Sequence, residues 1–109
     1  MATMLGFVAT DAALPAPILQ ILLSAATRRS FNAITVDSDT STNDSVFLVA
    51  TAVAAHHAPA TVDDPLLDDF IRALDQVMQD LAIQIVCDGE GASKLITIDV
   101  AGASDEDTA

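Results

Sequence analysis

A chain of 109 residues with a formal net charge of −12, from 16 Asp and Glu against 4 Lys and Arg, lacks the basic surface that nucleic acid or an anionic membrane face requires. Apolar residues make up 51%, but the aromatics are only 4 Phe, so the core must be aliphatic and broad stacking platforms for bases or sugars are excluded. A chain of this length forms one domain or a piece of one, burying roughly 60–70% of the surface its unfolded form exposes.

Residues 3–10, TMLGFVAT, are apolar on both alternating faces and read as a buried strand. No basic residue precedes Arg28 and Asp11 interrupts the apolar start, which is not a secretory signal. DAALP then turns the chain. Residues 15–29 read as a helix, with prolines in the first turn and arginines in the last, where helix-end chemistry favours them. FNAITVDSDTSTND reads as a short strand entering a polar turn, and SVFLVATAVA as another strand apolar on both faces. Residues 45–62 carry no charge, but His56, His57 and Pro59 make them strand plus loop rather than a membrane span of about 20 apolar residues.

Asp64 is placed to cap a helix with Pro65 at its first position. Leu67, Phe70, Ile71, Leu74, Met78, Leu81 and Ile85 then share one helical face, and Gly89 is placed to end it. Cys87 falls late in this run and is expected to be a buried thiol. As the sole cysteine it allows no disulfide within the chain, which suits a reducing, cytoplasmic setting. Residues 94–100, KLITIDV, alternate like a half-buried strand, and an acidic tail at 104–109 is expected to fray. The order β-α-β-β-α-β gives an α+β class. Two helices can cover only one face of a small sheet, so the other face requires another sheet or another chain.

DSDTSTND places Asp37, Asp39 and Ser41 at alternating positions, but an EF-hand loop would need Gly and Glu where Thr42 and Leu48 stand. It reads instead as a turn rich in local side chain–backbone bonds. Adjacent His56 and His57 would point to opposite faces of a strand, with no third ligand near in sequence, so no metal is expected. GEGASK lacks the order of a phosphate loop and reads as a turn. Its Glu90, held between glycines at an element end, is nevertheless well placed to meet a cationic ligand. Thr3 taken alone is an ordinary strand threonine.

Three motifs in register, MATMLGFVATDA, SFNAITVDSDTSTNDS and DGEGASKL, resemble the ornithine acetyltransferase family, also called glutamate N-acetyltransferases. The resemblance covers residues 1–103 and matches the first part of the family's β chain, within a layered αββα sandwich. It implies a precursor that cuts itself at Ala2–Thr3, freeing Thr3 as the nucleophile. A threonine hydroxyl needs a base. A free α-amine, titrating near ~7.7–8.0, can act as one, whereas a peptide nitrogen cannot. The implied reaction, in arginine biosynthesis, moves acetyl from N-acetylornithine to glutamate through acetyl-Thr3, without metal or organic cofactor. Acetyl-CoA is left open as a further donor.

The resemblance also maps the family's substrate-contacting glutamate onto Glu90 and implies an α2β2 assembly. The family's oxyanion-hole Thr-Gly pair, a substrate-binding lysine and a late asparagine have no counterparts in these 109 residues. The chain is therefore expected to be inactive by itself. Ala52 stands where many relatives place Gly, and Ser93 where Thr is usual. Two other readings stay open at this point: a non-catalytic remnant or interaction module, and an N-terminal-nucleophile amidase.

Overall fold

The computed structural model describes residues 3–36 and 41–105. Strand β1 (Leu5–Thr10), helix α1 (Ala16–Arg28), strand β2 (Ser45–Ala50) and helix α2 (Asp68–Cys87) form an α+β unit, with short 3-10 turns at Phe31–Ala33 and Pro65–Leu67. The two strands pair in parallel, from Leu5 opposite Ser45 to Thr10 opposite Ala50. Parallel neighbours need a long crossover, and α1 lies within it. No helix among the described residues is long and apolar enough to cross a membrane.

Helix ends follow their local chemistry. Pro15 and Pro17 open α1 and Arg28 closes it. The Asp64 carboxylate accepts from the Leu66 amide at 3.0 Å, capping the 3-10 turn that runs into α2. Helix α2, about 30 Å long, buries Leu74, Met78 and Ala82 at four-residue steps, and α1 buries Ile18, Leu22 and Ala26 in the same way. Most of these residues form one cluster with Leu67, against which Val8, Val46, Leu48 and Phe31 pack from the sheet side. Arg29, just past α1, grips Asp75 of α2 through two bonds of 2.8 and 2.9 Å. The pair is partly exposed, so it fixes relative position more than it adds stability.

Two expected strands are absent among the described residues. Residues 31–36 begin with a 3-10 turn because Ala33 N–H bonds to Ser30 O at 3.0 Å. Buried Ser30 is itself tied to Ala26 O at 2.6 Å, and Phe31 turns inward onto the core. Residues 94–100 keep their alternating pattern but have no strand assigned and are exposed throughout. Ile96 and Ile98 are 77% and 81% exposed, and a strand exists only where a neighbour satisfies its backbone. The described order is therefore β-α-β-α. The frayed tail expected at 104–109 lies mostly outside the described residues.

The sheet is covered on one face only. Gly6, Val8 and Thr10 turn toward the helices and are half-buried, while Leu5, Phe7 and Ala9 are exposed. Phe7 and Phe47, direct cross-strand partners, stack with ring centroids 5.2 Å apart yet remain 70% and 47% exposed. An open aromatic and aliphatic face of this kind binds apolar dyes. The chain is expected to enhance the fluorescence of such a dye, and the double substitution Phe7→Thr, Phe47→Thr to remove most of that signal while the helical circular dichroism persists.

Past β2, Thr51 N–H bonds to Thr10 O at 3.0 Å and Ala54 N–H to Asp11 O at 2.8 Å. To make both bonds the chain passes through a left-handed residue between them, Ala52, with φ 58°. An alanine pays a steric cost there that glycine does not. Ala52→Gly is expected to raise stability by up to about 1 kcal/mol, measured by urea denaturation, because the relieved strain exceeds glycine's added freedom in the unfolded chain.

Candidate functional site

Thr3 stands exposed at the entry to β1. The next residue is held on both its polar groups. Met4 N–H donates to Asp44 Oδ1 at 2.9 Å, and Met4 O accepts from Ser45 N–H at 3.0 Å. The Asp44 turn is built from its own hydroxyls: Asn43 N–H donates to Ser41 Oγ at 3.2 Å, and Ser45 Oγ donates to Asn43 O at 3.4 Å. The polar motif thus supports the strand that carries Thr3. Ala2 and residues 37–40, including Asp37 and Asp39, lie outside the described residues.

Glu90 follows the C-terminal end of α2. Helix α2 stops at Cys87, and Asp88 N–H bonds to Gln84 O at 3.0 Å. Ala92 N–H then bonds to Gly89 O at 2.9 Å, closing a four-residue turn with Glu90 and Gly91 in the middle. Gly91 has φ 75°, the signature of a type II turn at its third position. Glu90 is therefore the exposed second residue of a tight turn, with its carboxylate projected from a helix end.

A cleft of about 600 Å³ separates the two segments. Met4, Gly6 and Phe7 form one wall, Phe31 contributes to the lining, and Leu81, Gln84, Cys87 and Asp88 form the other wall. The structure brings the chain beside Thr3 and the chain beside Glu90 to one cleft, although neither Thr3 nor Glu90 is itself among the lining residues.

Three further positions refine the sequence reading. Cys87 is exposed rather than buried. It lies nine residues beyond Met78, half a turn out of phase with the core stripe. His56 is committed to backbone: its Nε2 accepts from Ala13 N–H at 2.9 Å and its Nδ1 donates to His57 O at 2.8 Å. Those two bonds require the neutral ring with its proton on Nδ1, so neither nitrogen is free for a ligand. Asp44 supports β1 through its side chain, since its Oδ1 accepts from Met4 N–H. Asp44 is the acidic residue directly before β2, whose first residue, Ser45, bonds to Met4 beside Thr3.

The parallel strand pair and its two helices define a small α+β domain. The ArgJ family matches residues 1–109. The arginine biosynthesis bifunctional protein ArgJ of Mesorhizobium japonicum is 52% identical over 106 residues, spanning 94% of this chain and 26% of that protein. Its namesake from Rhizobium meliloti is 50% identical over 109 residues, spanning 97% and 26%. A crystal structure of the Bacillus halodurans protein of the same name superposes with a TM-score of 0.79 at 49% identity, over 84% of this chain and 43% of that one. The chain belongs to the ArgJ family, the ornithine acetyltransferase family that its three motifs resemble. It spans about a quarter of the length of these curated relatives.

The turn geometry at Glu90 is directly testable. A Cβ added at Gly91 would meet nothing within 4 Å, so any penalty there is conformational rather than steric crowding. Gly91→Ala is expected to speed amide exchange at Ala92 about ten-fold, in line with the left-handed cost of about 1–2 kcal/mol. Gly91→Asn, which tolerates that conformation, is expected to stay closer to the parent.

Proposed function

We propose that this chain carries the nucleophile of an ornithine acetyltransferase acting in arginine biosynthesis. Membership of the ArgJ family supports this reading. The observation that carries it is the locked peptide after Thr3, beside a cleft whose other wall runs to Asp88, the residue before the Gly-Glu-Gly turn.

In this reading the Ala2–Thr3 bond of the precursor is cut, and the freed Thr3 amine becomes the base for its own hydroxyl. Thr3 Oγ attacks the acetyl carbonyl of N-acetylornithine while the amine takes its proton. The tetrahedral intermediate collapses, the C–N bond breaks, and the proton passes to the departing ornithine nitrogen. Glutamate then attacks acetyl-Thr3 through its α-amine, forming N-acetylglutamate and restoring the hydroxyl. Acetyl-CoA is a candidate second donor to the same oxygen. Glu90 binds the substrate ammonium by a charge-assisted bond. The oxyanion donors, substrate lysine and late asparagine come from family segments outside these 109 residues. So does the second sheet that covers Phe7 and Phe47, completing a layered αββα sandwich in a cytoplasmic α2β2 assembly. Residues 1–103 form the family part and 104–109 an acidic tail.

The test is a graft of residues 1–109 in place of the matching segment of the Mesorhizobium japonicum relative. Cleavage is read by mass spectrometry and transfer by ornithine release. The graft is expected to cut at Ala2–Thr3 and to transfer acetyl. Thr3→Ala is expected to abolish both, since it removes the attacking oxygen of each step. Glu90→Ala is expected to leave cleavage intact and lower kcat/KM roughly 10–100-fold. Transfer surviving Thr3→Ala overturns the reading, and cleavage lost in Glu90→Ala overturns the separation of roles.

A further inference from the structure

Thr3 offers its hydroxyl from an exposed strand entry, a place where chain ends fray. What holds it is the peptide that follows. The Thr3–Met4 peptide is planar, so Thr3 Cα and carbonyl share one rigid plate with Met4 N–H. Asp44 Oδ1 grips that N–H at 2.9 Å. Ser45 N–H grips the Met4 carbonyl at 3.0 Å, one peptide further on. With the plate fixed, two torsions place Thr3 Oγ1: rotation about the Thr3 Cα–C bond, and χ1, which is stiff in a β-branched residue. The backbone bond from Ser45 continues the strand ladder and would form with any residue there. The bond from Asp44 depends on a side chain.

We propose that Asp44 is a positioning residue for the Thr3 nucleophile, its carboxylate oxygen fixing the Thr3–Met4 peptide through Met4 N–H. This rests on the acetyltransferase reading above for its catalytic consequence, but not for the clamp itself. The role requires an acceptor at Oδ1 and not a negative charge, so asparagine can fill it and alanine cannot. It concerns one peptide at the strand entry. The pairing from Leu5–Ser45 to Thr10–Ala50 and the helix core stand without it.

Two measurements test it. In the 109-residue chain, Asp44→Ala is expected to speed amide exchange at Met4 several-fold while Asp44→Asn stays near the parent, with the melting temperature little changed in both. In the graft, Asp44→Ala is expected to lower kcat about 10–100-fold with KM within about two-fold, because a misplaced nucleophile slows the chemical step more than binding. Asp44→Asn is expected to restore most of kcat. Unchanged Met4 exchange in Asp44→Ala, an unchanged kcat, or an asparagine variant as impaired as alanine each overturns the proposal. The Thr3→Ala graft separates the two ideas: if transfer survives that change, the acetyltransferase reading fails, and Met4 exchange alone then decides whether Asp44 clamps the peptide.

Discussion

The parallel pairing of β1 with β2 is the constraint on which everything else in this chain depends. A parallel pair cannot be closed by a tight turn, so α1 must lie in the crossover. The register then fixes both ends of the unit. At one end Met4 is caught between Asp44 and Ser45, which sets the entry where Thr3 stands. At the other, Thr51 and Ala54 reach back to Thr10 and Asp11, and the chain takes its left-handed step at Ala52. A slip of β1 by one residue would exchange Val8 for Phe7 beneath the helices.

The helices complete only half of what this sheet requires. Ile18, Leu22 and Ala26 of α1 meet Leu74 and Met78 of α2 over the even-numbered face of β1. The opposite face keeps its stacked phenylalanines in solvent, and residues 94–100 keep an apolar alternation with nothing beside it among the described residues. These are one condition seen in two places. A strand pattern encodes a partner as well as a conformation, and the partner need not lie in the same stretch of chain.

That distinction separates what was legible in the sequence from what was not. Both helices, the Asp64 cap and the glycine-rich turn were legible because their chemistry is local: it depends on residues within one turn. KLITIDV carries a genuine strand period, but no strand lies beside it among the described residues. At residues 31–36 Ser30 and Phe31 serve the core, and a local 3-10 bond prevails over β propensity. Cys87, expected to be buried, is exposed because its phase on α2 puts it on the far side from Met78. Thr3 and Glu90 could be named from motifs, but the cleft between their segments depends on how α2 crosses the sheet, which no spacing rule supplies.

The two glycines around Glu90 resist a larger side chain by different means. At Gly91 the surroundings are empty and the backbone alone objects. At Gly89 the reverse holds: a Cβ there would lie 3.1 Å from Val36 Cγ1, on a segment far away in the chain. One glycine therefore sets the direction in which the acidic side chain leaves the helix, and the other sets how closely that helix end can approach the stretch after α1. A single short motif thus controls an angle and a separation independently, so a variant could alter the reach of the carboxylate without altering its aim.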